Sequence, residues 1–568
     1  FEATAKPMLT GTLITCAGFI PVAFAKGMAS EFCKSLFPVI SIALLISWLV
    51  SVMVAPLFGY HLIRVKPPTN NTGKTTPYQN KFYLLFRKIL TWCLQHKKPV
   101  LGVTICIFAL SIFSLRFIRQ EFFPPSLRPE IIVEMQLPEG SSLKASEDTA
   151  NKFATFLNTQ TDNIKNFSYY VGEGAPRFVL TTDPQLPADN YSQFIIVAKD
   201  VDTREQLAET INKELADNYP NVQGNVKFIQ TGPPADYPIM LRVSGYDEDK
   251  VRGIAGKVAD IVAADSNNED VHFDWNEKNK TMHLALDQDK LRAMGISGQS
   301  VAQMLYTEIS GASAAQYYAG DRTIDIMLRM NDSDRHSLAD IKNLPVYLGA
   351  AGYVPLQQIA KISYDAEDGL IWRRNLQPTI TVEANIKEGT ANDAAQKAYN
   401  ATKSLRDSLP LGYSIEAGGS LSDSNDAIQF LLVPLPVMIF VIMTLLMIQL
   451  RNGKLVILTL LTAPLGLIGV SSGMILLDKA MGFVAQLGIL ALSGMIIRNS
   501  VILIDQIQKH IAAGETPWDA IIDSAILRFR PIMLTAAAAI LGMLPLMSST
   551  FWGPMAVAIA SGLLVATI

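Results

Sequence analysis

The stretch IQFLLVPLPVMIFVIMTLLMIQ, residues 428–449, carries no charged side chain, and it decides the class of fold. A bilayer core of about 30 Å is crossed by roughly 20 apolar residues in a helix, the form in which one segment satisfies its own backbone in lipid. Further apolar runs cover 8–24, 38–60, 99–117, 455–477, 483–505, 532–548 and 554–568. Of the 568 residues 17% are charged, against roughly 25% in soluble proteins, and the charge gathers in residues 119–424. A purely soluble enzyme, a disordered chain and a disulfide-stapled scaffold are excluded. The net charge of −3 argues against nucleic acid as a partner. Cys16, Cys33, Cys93 and Cys106 lie near the first apolar runs and form no CxxC pair, so neither a zinc site nor a disulfide framework is indicated.

Orientation follows from the linker Leu62 to Lys98. It carries Arg64, Lys66, Lys74, Lys81, Arg87, Lys88, Lys97 and Lys98 with no Asp or Glu, which places it in the cytoplasm. Counting spans then puts 119–424 outside, and 450–454 and 506–530 inside. Phe82, Leu85, Phe86, Ile89 and Cys93 share one helical face opposite Arg87, Lys88, Thr91 and Gln95, the pattern of a helix on the inner membrane surface. The chain therefore divides into membrane helices 1–62, a cytoplasmic linker 63–98 with that amphipathic helix, and a span 99–118. Extracytoplasmic subdomains 119–287, an insertion 288–370, the rest of the second subdomain 371–424 and membrane helices 425–568 follow.

Two distant segments share a frame. Lys6-Pro7, Gly18 and Pro21 match Arg530-Pro531, Gly542 and Pro545 at a constant offset of 524 residues. Both copies start from the cytoplasmic side, so this reads as a parallel repeat, a layout transporters use. The sequence opens Phe1-Glu2-Ala3 and stops at Ile568 inside an apolar run, and we read it as the C-terminal half of a longer polypeptide.

The soluble block alternates short apolar strands with amphipathic helices. Strands are expected at 131–135, 194–197, 226–229, 238–243, 281–286, 379–385 and 412–417, and helices at 143–158, 203–218, 248–264 and 391–408. Such units suggest an α+β domain of ferredoxin-like, split-βαβ subdomains joined to a polytopic helical membrane part. No nucleotide loop, HExxH, GxSxG or EF-hand sequence is present, and His272, His283 and His336 lack ligand spacing, so no enzyme, metal site or cofactor is expected.

The chemically informative residue is Arg498, in GMIIRNSVILID, residues 494–505. An arginine inside a span costs about 2.5–3.5 kcal/mol, which makes it a functional candidate by default. Asp505, two turns on, marks the cytoplasmic edge. Thr535 is a second polar residue at membrane depth, and Arg528 and Arg530 precede it at the helix's inner end.

In this frame the sequence resembles the resistance-nodulation-division (RND) multidrug efflux permeases of Gram-negative bacteria. The resemblance rests on GFIPVAF (18–24), LPEGSS (137–142), GYVPL (352–356) with Ile359-Ala360, APLGLIG (463–469) and RFRPIMLT (528–535), in family order from span five to span twelve. It implies a proton/drug antiporter in the inner membrane, assembled as a homotrimer with a periplasmic adaptor and an outer-membrane channel. The proton gradient, not a cofactor, would supply its energy, and small amphiphilic compounds its cargo. Porter subdomains would bind substrate, and the 288–370 insertion would be the funnel that meets the partners. By the resemblance, Arg498 stands where the family has a lysine paired with two aspartates of span four, which would lie outside this sequence. Asn499, Thr535 and Arg528 then join Arg498 as proton-relay or coupling residues. Arginine stays protonated, so proton exchange would fall on the aspartates.

For substrate contact the expectation is an aromatic patch, Phe167, Tyr169, Tyr170 and Phe178, around Gly172–Gly174. The rival readings are a heavy-metal cation exporter of the same superfamily, drawing on Met240, Met282, Met294, Met304, Met327 and Met330, and a lipid- or protein-export accessory subunit.

Overall fold

The computed structural model describes residues 2–567 except 25, 28–30, 32, 63–80, 125, 234, 332–337 and 348–351. Arg64, Lys66, Lys74 and His336 of the sequence reading lie outside the described residues. Two compact units result: residues 1–137, 142–274 and 372–568, and residues 138–141 with 275–371.

In the larger unit the apolar runs are helices, as the lipid argument requires: α1 (Glu2–Ala17), α2 (Leu36–Leu62), α3 (Lys81–Gln95) and α4 (Lys97–Ser114). Six helical segments among the described residues are long and apolar enough to cross a membrane. The opening stretch 428–449 lies within one of them, which is interrupted by a turn at Val433 and Pro434, since proline donates no N–H to the turn before it. The span 455–477 breaks likewise into a short 3-10 turn at Ala463–Gly466, around Pro464. Leu36–Leu62 has no buried residue, the state of a helix that faces lipid or an unseen neighbour. The linker helix α3 meets the helix at 517–547 through Phe82, Tyr83 and Phe86, whose rings lie 5.4, 6.4 and 4.5 Å from that of Phe529. Arg87 sits 3.5 Å from Asp523, while Leu84, Leu85, Ile89 and Trp92 stay exposed.

The chain next builds β1 (Glu130–Gln136), α5 (Leu143–Leu157), β2 (Ile164–Val171), β3 (Tyr191–Ala198), α6 (Val201–Asn218) and β4 (Gln223–Phe228). The four strands form an antiparallel sheet in the order β2-β3-β1-β4. Ile131, Val133 and Met135 point to one face and pack under α5 and α6 with Phe153, Leu157, Phe194, Leu207 and Ile211. Truncating a fully buried phenylalanine such as Phe153 costs about 3–5 kcal/mol. Ser142, Asp200 and, in the next helix, Asp247 cap their helices by accepting from backbone N–H groups three residues on.

A second sheet repeats the pattern with β5 (Ile239–Ser244), α7 (Glu248–Ala263), β6 (Asn268–Phe273), then, after a long excursion, a strand at Gln377–Ile386, a helix at Ala391–Ala401 and a strand at Ser414–Ala417. Gln377–Ile386 pairs with β5 and with β6, and Ser414–Ala417 pairs with β5. Strand order by position in the chain is thus the same in both sheets: second, third, first, fourth. The edge strands β2 and β6 escaped the sequence reading because NEDVHF is mostly polar and a bulge between Ile164 and Asn166 breaks the alternation of IKNFSYYV. The strand expected at 281–286 does form, but belongs to the smaller unit. It pairs with Ala360–Glu367, so the inserted unit starts at Trp275 rather than at 288. That unit also holds an antiparallel hairpin, Ala312–Ala319 with Arg322–Leu328, and a core around Leu291, Val301, Leu344 and Val346.

The second sheet runs directly into a span through Gly418 and Gly419. Gly419 has φ +55, and a Cβ there would lie 2.8 Å from the Met240 sulfur, so only glycine fits the joint. Beyond it the helices continue as Gly419–Leu432, Leu435–Leu450, Gly453–Thr462 and Leu467–Leu476. Hereafter the helices Leu435–Leu450, Phe483–Ala512 and Pro517–Met547 are α8, α9 and α10, and Gly553–Thr567 is α11.

Candidate functional site

Two places in the larger unit concentrate polar side chains where water is scarce. The first is α9. Arg498 is half-buried there, and among the described residues no hydrogen bond or ion pair meets it. Its stem lies against α1: a Cβ on Gly11 would come 2.5 Å from Arg498 Cγ. Gly11 is therefore the opening through which the arginine passes. The helices pack closely because Ile14 and Ala17 of α1 join Ile497 and Val501 of α9 and Met438, Ile442 and Leu446 of α8 in one core.

Toward the cytoplasmic end the same three helices exchange hydrogen bonds. Thr10 Oγ1 donates to Gln449 Oε1 at 3.1 Å, and Gln449 Nε2 donates to Asp505 Oδ1 at 3.1 Å. Lys509 Nζ lies 2.6 Å from Asp505 Oδ2, one turn away. Arg528 of α10 donates to Gln506 Oε1 of α9 at 2.9 Å. Thr535 donates to the Ile532 carbonyl of its own helix at 2.9 Å and is exposed. Asn499 is half-buried, and the next residue, Ser500, shares a 3.0 Å hydrogen bond with Thr462. Of the four residues singled out by sequence, Arg498 and Asn499 share α9, and Arg528 is tied to α9. Thr535 makes no hydrogen bond to the others.

The second place is a cleft on the face of the first sheet that carries no helix. Glu134, Gln193 and Lys227 line it from β1, β3 and β4, with Thr181, Thr182, Asp183 and Asp236 from loops. Alternation along each strand puts these residues opposite the apolar core. Lys227 Nζ lies 2.9 Å from Glu134 Oε2 and 2.8 Å from Asp236 Oδ1. Glu134 also accepts from Tyr191 Oη and Gln193 Nε2, both at 3.1 Å. Burial alone would lower the Lys227 ammonium, but the two carboxylates outweigh it and hold it above its ordinary value. Burial and the neighbouring Glu134 push the Tyr191 phenol far up.

Next to the cleft, on the second sheet, His272 Nε2 faces Glu383 at 3.5 Å and its Nδ1 faces the Asp270 carbonyl at 2.7 Å. Tyr237 stands edge-on to the imidazole, 4.7 Å between centroids. Burial raises Glu383 and Asp270, and pushes Asp274 up to about 7. Burial would lower His272, yet Glu383 and Asp270 carry it above its ordinary value.

The expected aromatic patch is split by strand alternation. Phe167 packs into the first core, and Tyr169 stacks on Phe194 at 5.0 Å and donates to Asn151 of α5. Tyr170 falls on the opposite face of β2, and Phe178 is a half-exposed loop residue. Sequence reasoning missed Glu134, Lys227, Asp236 and Gln449. The one legible signal was charge at alternate positions of otherwise apolar strands, as in EIIVEMQ.

Comparison with known proteins places this arrangement. The profile of the AcrB/AcrD/AcrF family matches residues 2–568. The nickel-cobalt-cadmium resistance protein NccA of Alcaligenes xylosoxydans xylosoxydans is 24% identical over 99% of this chain and 53% of its own length. The nickel and cobalt resistance protein CnrA of Cupriavidus metallidurans gives the same figures, 24%, 99% and 53%. The swarming motility protein SwrC of Bacillus subtilis is 21% identical over 95% of this chain and 50% of its own. The crystal structure of a heavy metal efflux pump superposes with a TM-score of 0.78 at 19% identity, covering all of this chain and 57% of that one, a likeness of fold. The chain spans about half the length of the curated relatives it matches. A helical membrane part, a large α/β part and the profile match over nearly every residue lead to one assignment: the chain belongs to the AcrB/AcrD/AcrF family, as a multi-pass inner-membrane protein with a large periplasmic portion.

Proposed function

We propose that this chain works in a proton-driven efflux permease whose cargo is a divalent transition-metal cation. The observation that carries the coupling half of this reading is Arg498, a permanent cation at membrane depth with no anionic partner among the described residues. A charge there needs a counter-charge, which in this reading is an acidic side chain outside the described residues. A carboxylate beside the guanidinium stays ionised, and its protonation frees the arginine to move. The motion biases rigid-body rocking of helices and reaches the second sheet through the Gly418-Gly419 joint. In this reading the two sheets are split-βαβ porter subdomains, and the permease is a homotrimer joined to an adaptor and an outer-membrane channel. It is a transporter, not an enzyme, and needs no bound cofactor.

The cargo half draws on the relatives named for nickel, cobalt and cadmium resistance. That is a change from the drug-antiport expectation of the sequence reading, where metal export stood second. A specific observation keeps amphiphilic cargo as the second reading. Among the described residues no group of three or more His, Cys, Asp or Glu could hold a metal ion, while Phe178, Leu180 and Leu186 expose apolar surface on the loop beside the cleft. The test is a deletion strain challenged separately with nickel, cobalt and cadmium salts and with dyes and detergents. Metal sensitivity restored by the wild-type permease but not by Arg498→Ala is the expected result. Dye sensitivity with unchanged metal tolerance selects the amphiphile. Unchanged tolerance to both defeats the efflux reading.

A further inference from the structure

The polar chain at the inner end of α1, α8 and α9 is not used by the coupling argument. It consists of Thr10, Gln449, Asp505 and Lys509, one or two from each helix. Its direction is fixed by chemistry. An ionised Asp505 only accepts, so the Gln449 amide must turn its NH2 toward α9. That leaves the amide oxygen for the Thr10 hydroxyl, whose single proton is shared with the Lys6 carbonyl of its own helix, also at 3.1 Å. The three helices are thereby locked in one register rather than merely packed.

The register matters because Thr10 precedes Gly11, the residue whose missing side chain admits the Arg498 stem. Asp505 follows Arg498 by two turns, about 10 Å along α9. The hydrogen-bonded chain and the glycine opening thus fasten α1 to the same helix at adjacent residues. A slide of α1 by one turn would carry Gly11 away and put Pro7 or Thr15, on the same helix face, against the stem instead.

Resting on the coupling role of Arg498 proposed above, we infer that Thr10, Gln449 and Asp505 are positioning residues that hold α1 in register so that Gly11 stays opposite Arg498. Hydrogen bonds between membrane helices are individually weak, so the chain selects one arrangement of helices without dominating stability.

The test uses the permease expressed from its native locus, with transport measured in membrane vesicles at saturating and limiting cargo. Thr10→Val removes the hydroxyl at nearly constant volume, and Gln449→Leu removes the amide. Each is expected to lower the maximal rate roughly three- to fifteen-fold, the range that one interhelical hydrogen bond spans. The cargo concentration for half-maximal rate, the amount of protein in the membrane and its oligomeric state should stay unchanged. Thr10→Ser keeps the donor and is expected to transport like wild type. The double variant Thr10→Val/Gln449→Leu should be no slower than the worse single, because both cut the same chain. Wild-type maximal rates in Thr10→Val and Gln449→Leu, or losses that multiply in the double variant, overturn the inference. Arg498→Ala run in parallel separates the failures: if it retains transport the coupling reading falls, and if it alone is inactive only the positioning role falls.

Discussion

Lys227 and Arg498 carry the same charge away from bulk water under opposite conditions. Lys227 lies between Glu134 and Asp236, within 2.9 Å of both. Arg498 sits among helices whose described residues offer it packing but no carboxylate. A cation matched on both sides is a structural fixture, since moving it would strand two carboxylates. A cation without a fixed partner is free to change partners. The contrast teaches that burial of charge marks function only when the accounting of counter-charges stays open.

The sharpest way to break this comparison is to remove each cation. Arg498→Ala should reduce transport to the background of cells lacking the permease, while the amount of protein in the membrane and its oligomeric state stay as in wild type. Lys227→Met should do the reverse. It leaves Glu134 and Asp236 facing each other and lowers the stability of the first sheet by about 2–3 kcal/mol, read from protease resistance of that region. Equal effects of the two variants on transport would erase the distinction.

A subtler effect belongs to the cluster on the second sheet. His272, Asp270, Glu383 and Asp274 all bind protons more tightly folded than unfolded, Asp274 with a value of about 7. Raised values mean that their contribution is complete below the unfolded carboxylate range near pH 4 and is lost as pH rises through about 7. Amides of β6 and its partner strand should therefore exchange faster at pH 8 than at pH 5.5, beyond the intrinsic increase, by about 1–2 kcal/mol of protection. Asp274→Asn should flatten that dependence. The smallest expected change is at the glycine opening. Gly11→Ala leaves room only if the Arg498 stem shifts, and should cost a few-fold in transport rate with cargo affinity unchanged, about 1 kcal/mol in the barrier.

The apolar spans were legible because lipid leaves a helix as the only choice, and α5, α6 and α7 because their apolar residues recur with helical period over well-capped starts. Strands β2 and β6 were not, since an edge strand interrupted by a bulge, like β2, or mostly polar, like β6, still pairs by its backbone. Arg498 stood out from composition alone. Gln449 did not, because a glutamine at a helix end looks like any surface residue until Thr10 and Asp505 are found on either side of it.

The sequence by itself thus determined which segments enter the membrane, which face of each helix is apolar, and that one guanidinium lies deep in a span. Those properties depend on local periodicity and transfer free energy, which a linear chain displays. Only the tertiary structure decided that Gly11 faces Arg498, that Lys227 bridges Glu134 and Asp236, and that Phe167 packs against the first core while the exposed Tyr169 stacks on Phe194. These outcomes depend on the register of strands and helices brought together from hundreds of residues apart. A shift of one position would reverse them while leaving the local pattern unchanged.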